Sequence, residues 1–222
     1  MPQTEWATYY ERKTQPALYP EGFVVRAFLS TFPEPLLEER EYAGKRILDL
    51  SCGYGRNLGL LLDLGFEVHA TEVSPEVVAS TGSRFPEVQM RVGRNGHLPY
   101  EAGEFDFVLA CNSCYYLEPR QTFTGNLAEI ARVLRPGGNF IGSLPGPDHF
   151  IFAGGELLSD GSMIVRGDRD GLRNGDRLQR ACGRGSVAHH LREHFLRWRI
   201  CHLVDDACDL LRDLYYFTAV RR

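Results

Sequence analysis

The chain has 222 residues, 43% hydrophobic and 24% charged, with a formal net charge of −4. These are values of an ordinary globular protein, enough for one domain with a substantial core. They disfavour general affinity for nucleic acid. No run approaches the roughly 18 apolar residues of a membrane span, and the first residues lack the basic and apolar segments of a secretion signal. Six cysteines are scattered through apolar segments, which predicts a reduced, cytoplasmic protein. Cys111 and Cys114 form a lone C-x-x-C pair with no second pair at metal-ligand spacing, so they read as small residues at a strand end and no metal is expected.

In chain order, residues 1–45 read as a leader. Trp6, Tyr9, Tyr10 and Tyr19 are interleaved with charges, Phe23 to Phe32 has the pattern of an amphipathic helix, and Glu34 to Glu41 reads as a solvated helix or loop. From Arg46 strand and helix alternate. Strands are predicted at 47–52, 67–72, 88–92, 105–111 and 139–144, with helices at 56–64, from Pro75 with Ser74 as its cap, and at about 121–134. This is the pattern of an α/β fold, a doubly wound and mostly parallel sheet covered on both faces. Residues 145–186 are too long for an ordinary connection and predict a small subdomain or lid. A helix over Val187 to Phe195 and strands at 198–204 and 214–220 complete a single domain of leader (1–45), core (46–144), insertion (145–186) and final helix and strands (187–222).

The informative stretch is Asp49-Leu50-Ser51-Cys52-Gly53-Tyr54-Gly55, where a short strand breaks into a glycine turn before a helix. Glycine suits such a turn because the backbone takes dihedrals a Cβ forbids and a ligand lies against it. Glu72, nineteen residues after Gly53, ends the next strand, the place of an acid that binds ribose hydroxyls. The dinucleotide fingerprint wants a third glycine at position 58, which is Leu. Asp49 would also repel a pyrophosphate, and instead suits a cationic ligand end such as an ammonium or sulfonium. Ligands of these sheets bind beyond the carboxyl ends of the strands, where Asp49, Glu72, Asn95 and Cys111-Asn112 converge.

Asp49-x-x-x-Gly53-x-Gly55, Glu72 and Leu134-Arg135-Pro136-Gly137-Gly138 together resemble a class I S-adenosylmethionine (SAM)-dependent methyltransferase, in order and spacing from about Trp6 to Pro145. The resemblance implies a seven-stranded Rossmann-like sheet and SAM as cofactor, with S-adenosylhomocysteine as product. It implies a cofactor site at Asp49, Ser51, Gly53, Gly55, Asn57, Glu72, Val73, Asn95, Gly96, Cys111 and Asn112, with a leader aromatic, Tyr10 or Tyr9, at the methionine end. Two departures stand out. Ser51 occupies the place of the first glycine, and Arg94 or Asn95 replaces the acid that usually bonds the adenine amino group; Asn95 can accept a hydrogen bond and Arg94 cannot.

For catalysis, Tyr115 and Tyr116 are candidates to face the methyl through cation–π attraction, and His149 is the best-placed candidate base. His189, His190 and His194 read as a solvated helix face and His69 as structural. Between Arg166 and Arg199 there are nine Arg and four acids. That segment has three readings: a binder of an anionic small molecule, a grip on RNA, or a solvated surface. The expectation is a small-molecule acceptor, which the arginines allow to be anionic, bound by a monomer or homodimer without a membrane or nucleic-acid partner. The alternatives are an RNA or protein methyltransferase, a non-catalytic SAM-binding module, and an NAD-dependent oxidoreductase, the last disfavoured by Asp49 and the misplaced glycine.

Overall fold

A computed structural model describes Thr8, Tyr9 and residues 18–222. Helix α1 (Gly22–Leu29) precedes strand β1 (Arg46–Leu50), helix α2 (Leu58–Asp63), β2 (Glu67–Glu72), α3 (Pro75–Arg84), β3 (Gln89–Val92) and β4 (Phe105–Ala110). Then come β5 (Tyr116–Leu117), α4 (Phe123–Val133), β6 (Leu134–Pro145), a 3-10 turn at Phe150–Phe152, β7 (Glu156–Leu157), β8 (Ser162–Ile164) and β9 (Arg177–Gln179). Helix α5 (Arg184–Leu191) and strands β10 (Phe195–Ala207) and β11 (Leu210–Arg221) close the chain.

Seven strands form one sheet in the order β10-β11-β6-β4-β1-β2-β3. The pairs from β3 through β6 are parallel, and β11 runs antiparallel to both β6 and β10. The order reverses at β1, which lies between β2 and β4, so the carboxyl ends of these strands flank the crevice where such sheets bind ligands. Adjacent residues of β1 serve opposite faces, as strand geometry requires. Ile47 packs with Phe28, Phe66 and Phe107, while Leu48 and Leu50 pack with Phe105, Phe140 and Leu127. Helix α1 buries Phe23, Val24, Ala27 and Phe28 on the first face, and Phe28, Tyr42, Phe66 and Phe107 interlock edge to face there. Ser74 caps α3 as its sequence predicts, accepting from the Val77 N–H, with Pro75 at the first helical position.

Residues 34–41 take the loop of the two forms their sequence allows. Two features differ from the sequence expectation. The last two strands are far longer than expected, forming a hairpin joined by Cys208 and Asp209, both left-handed (φ 55° and 64°), the two-residue turn that matches strand twist. Tyr116 and Leu117, outside the strands expected from the sequence, form β5, the edge of a second, antiparallel sheet in the order β5-β9-β8-β7. The insertion is thereby stitched to the segment that leaves β4.

Candidate functional site

A cavity of about 1080 Å³ opens beyond the carboxyl ends of β1, β2 and β4. Asp49, Ser51, Gly53, Asn57, Glu72, Val73, Asn95, Cys111, Asn112, Tyr115 and His149 all line it. Gly55 and Gly96 do not. Gly55 is left-handed (φ 85°), and a Cβ there would lie 2.7 Å from the Phe85 ring and 2.8 Å from Leu58, so it serves the seating of α2 against α3. Gly96 faces the Gln121 side chain, which a Cβ would meet at 2.8 Å. Tyr10 lies outside the described residues, whereas Tyr9 reaches the cavity.

The glycine turn and the acid of β2 are one unit. Gly53 N–H donates to Glu72 Oε1 at 2.9 Å and Val73 N–H to Oε2 at 2.8 Å. Burial raises the Glu72 pKa, and these two bonds oppose the rise. Thr81 Oγ1 donates to Gly53 O at 2.9 Å and ties the turn to α3. Ser51 takes the left-handed conformation (φ 57°) that glycine would adopt without strain, and its N–H is held by Thr71 Oγ1 at 3.3 Å.

Asp49 is completely buried, and neither carboxylate oxygen has a hydrogen-bond partner among the described residues. Its pKa is pushed up to about 7, first by desolvation and then by the neighbouring Glu72. Such a carboxylate is costly alone and is relieved by a cationic ligand. Asn95 donates both amide hydrogens, to Ser113 O at 2.8 Å and Tyr116 O at 3.3 Å, and its Oδ1 has no partner among the described residues. It therefore offers an acceptor, while Arg94 is engaged with Glu118. Asn112, left-handed at the end of β4 (φ 56°), is held by Ser143, which accepts from its N–H and donates to its Oδ1, both at 3.0 Å.

At the other side of the cavity Tyr115 and Tyr116 stack with ring centres 5.1 Å apart. Arg173 Nε donates to Tyr116 Oη at 3.1 Å and Arg173 Nη1 to Asp168 at 2.9 Å, so the insertion is fastened to this wall. His149 caps the 3-10 turn, its Nδ1 accepting from Ile151 N–H at 3.2 Å. Burial first, then Arg212, push its pKa down to about 4. A neutral imidazole whose Nδ1 lone pair is taken carries its proton on Nε2. The ring is thus a donor, and the general-base expectation finds no free lone pair in this arrangement.

Residues 48–142 match the methyltransferase domain family. An uncharacterized methyltransferase of Mycobacterium tuberculosis is 30% identical over 96 residues, 43% of this chain and 38% of that protein. Among solved structures, a SAM-dependent methyltransferase of Methanosarcina mazei aligns with a TM-score of 0.63 at 15% identity, over 92% of this chain and 99% of that one. The 1,6-didemethyltoxoflavin-N1-methyltransferase of Burkholderia thailandensis aligns with a TM-score of 0.57 at 21% identity, over 81% and 72%. Residues 48–142 form a class I SAM-dependent methyltransferase domain.

The core at residues 48–142 has side chains whose chemistry fits SAM. Unpartnered Asp49 suits the ammonium and sulfonium, Glu72 the ribose hydroxyls, and Asn95 Oδ1 the adenine amino group. Sequence reasoning missed Glu21, Arg56, Arg173 and Arg212, which also line the cavity. Glu21 and Arg212 carry no local motif, and only the closing of the chain's two ends over the sheet brings them together.

Proposed function

We propose that the protein transfers the methyl group of SAM to a small-molecule acceptor seated between Tyr115, Tyr116 and the inserted sheet. The observation that carries this reading is Asp49, wholly buried with both oxygens unpartnered among the described residues, beside a cavity shared with Glu72. At about 1080 Å³ the cavity exceeds the roughly 300–1,000 Å³ of an ordinary small-molecule site. That size supports room for an acceptor beside a cofactor and disfavours a non-catalytic binding module.

When bound, SAM supplies an electrophilic methyl group on a sulfonium. The chain's contribution is to hold both reactants and exclude water. Glu72 and Asn95 orient the nucleoside, Asp49 neutralises the cationic end, and the stacked tyrosines form an apolar wall favourable to a sulfonium. Positioning of this kind is worth about 7–11 kcal/mol of barrier, so the reading needs no dedicated base.

Five of the nine arginines between Arg166 and Arg199 are paired with acids, which weakens support for an RNA reading or an anionic acceptor. Arg166 pairs with Glu156, Arg173 with Asp168 and Arg177 with Asp160. Further along, Arg197 pairs with Glu38 and Arg199 with Glu34. A small acceptor enclosed at the site fits better than a polyanion gripped outside it.

The test is calorimetry with S-adenosylhomocysteine for wild type, Asp49→Ala and Glu72→Ala, followed by transfer of labelled methyl from SAM to a panel of small metabolites, RNA and protein. Micromolar binding lost in both variants, with label moving to a small molecule, supports the reading. No binding by folded wild type, or label moving only to RNA or protein, overturns it.

A further inference from the structure

Of the described histidines, only His149 lines the cavity, and its hydrogen bonds fix what it offers there. The turn that carries it beyond β6 is fastened to Asp213. Gly146 N–H donates to Asp213 O at 2.7 Å, and Asp148 N–H donates to Asp213 Oδ2 at 3.0 Å. Asp213 Oδ1 lies 2.6 Å from His202 Nε2, so both oxygens of this nearly buried carboxylate are engaged. A Cβ at Gly146 would meet the carboxylate at 2.1 Å, so the turn packs directly on it. Thus placed, His149 Nδ1 accepts from Ile151 N–H at 3.2 Å, the one hydrogen bond of the ring among the described residues. A backbone N–H can only donate, so Nδ1 holds a lone pair and Nε2 carries the proton. The ring is a fixed, neutral donor.

The wall around this donor is built of rings. His149 and Phe150 lie 4.7 Å apart between ring centres, and Tyr115 and Tyr116 stack with 20° between their planes. All four line the cavity, and Leu117 and Ile151 add apolar surface. Burial holds the Tyr115 hydroxyl well above its usual pKa, so it stays protonated and uncharged. The charged side chains on this side of the cavity are matched, Arg173 to Asp168, Arg177 to Asp160 and Glu118 to Arg94. Asp176 is engaged as well, and Arg56 and Arg212 share Glu21. Among the described residues, this wall therefore offers an acceptor flat apolar surface and a neutral N–H rather than a spare charge.

We propose that the methyl acceptor is an uncharged flat ring compound whose carbonyl oxygen or ring nitrogen accepts a hydrogen bond from His149 Nε2–H. This rests on the reading of the cavity as a methyltransferase site and deepens it by naming the acceptor's class. Aromatic side chains take the faces of the ring, and the single donor fixes its rotation within the cavity. A protonated amine would instead set N–H against N–H and bring an unpaired cation to an apolar wall. Both are costly, because a buried donor goes unmet and a charge is desolvated. Burial and then Arg212 push the His149 pKa down to about 4, with Asp213 opposing and Arg173 adding to the fall, so the imidazole stays neutral at physiological pH.

The experiment uses three probes on one bicyclic skeleton. 1-Indanone carries a carbonyl, indane has no polar group, and 1-aminoindane is an ammonium at pH 7.5. Ligand-detected NMR measures their affinities for the protein saturated with S-adenosylhomocysteine. Wild type is expected to bind 1-indanone at least about fivefold more tightly than either of the others, the scale of one hydrogen bond. Three variants, each verified as folded by circular dichroism, separate the donor from the turn. His149→Asn keeps an acceptor for the Ile151 N–H but has no donor at the Nε2 position, and is expected to lose the preference. His149→Gln gives up that cap but places an amide N–H near the Nε2 position, and is expected to keep part of it. His149→Phe has neither, and is expected to bind 1-indanone and indane alike. Wild type without the preference, a His149→Asn that retains it, or equal loss in His149→Gln and His149→Phe overturns the donor and leaves the methyltransferase reading standing. Wild type that fails to bind S-adenosylhomocysteine overturns that reading, and the donor with it.

Discussion

The Gly53 N–H donates to Glu72 Oε1 at 2.9 Å, so the turn after β1 is fastened to the last residue of β2. With Val73 N–H on Oε2, each carboxylate oxygen holds one backbone donor and keeps lone pairs for further donors. Glu72→Gln replaces one of these acceptors by an NH₂ facing an N–H. Leaving a buried donor unsatisfied costs about 1–3 kcal/mol. Urea denaturation is expected to show a loss of that order for Glu72→Gln, together with at least tenfold weaker S-adenosylhomocysteine binding. An unchanged affinity would remove Glu72 from the ribose site.

Asp49 makes the ligand-free protein less stable than its shape allows. Its folded pKa, pushed up to about 7, exceeds the unfolded value of about 3.9. Between those values the folded state binds the extra proton, so Asp49's contribution to stability falls as pH rises through that window and reaches its lowest above pH 7. Asp49→Asn is therefore expected to stabilise the ligand-free protein at pH 8, on the order of 2–4 kcal/mol, and little at pH 4. Cofactor binding should show the reverse sign. A cation prefers ionised Asp49, so S-adenosylhomocysteine affinity rises from pH 6 to pH 8 in wild type and loses that slope in Asp49→Asn. Melting curves and calorimetry at the two pH values check both halves.

The core of the fold was legible because its signals are local. Hydrophobic runs, the glycine turn, Ser74-Pro75 and the acid of β2 each lie within one strand–turn–helix unit. The cavity-lining residues legible from sequence come from those same units, Asp49, Gly53, Glu72 and Asn112 among them. Gly55 has the left-handed backbone (φ 85°) that the turn implies, and the sequence does not show its second constraint, the closeness of Phe85 and Leu58. What was illegible depends on long-range closure. Glu21 meets Arg212 across 191 residues, and Tyr116 becomes a strand only because Leu178 pairs with it. No spacing rule connects such positions.

Arg173 ties the inserted sheet to the cavity wall through Tyr116 and through nearly buried Asp168, which also accepts from the N–H groups of Leu172 and Arg173. Removing one partner of a buried ion pair leaves the other uncompensated, at a cost of about 3–5 kcal/mol when burial is complete. With Arg173 partly exposed, Arg173→Ala is expected to cost less than that. The loss should stay local, as faster amide exchange across 156–179. S-adenosylhomocysteine affinity should remain within about twofold, because no hydrogen bond or ion pair joins Arg173 to Asp49, Glu72 or Asn95. A tenfold loss would show that the insertion shapes the cofactor site as well as the acceptor side.

His149 decides whether a base acts on the acceptor. Its Nδ1 is occupied by the Ile151 N–H, and its pKa is pushed down to about 4 by burial and by Arg212 and Arg173, with Asp213 opposing. The ring is accordingly neutral from pH 5 to pH 8, and the rate of methyl transfer should show no inflection near 6.5 that His149→Asn removes. The same shift has a stability consequence of definite sign. The unfolded imidazole titrates near about 6.5, so the contribution of neutral His149 is fully present above that pH and is lost as pH falls toward 4. Asn keeps an acceptor for the Ile151 N–H but does not titrate. His149→Asn should therefore lose less melting temperature than wild type between pH 7.5 and pH 4.5. A wild-type rate that follows a group near 6.5, abolished in a folded His149→Asn, would instead make His149 the base.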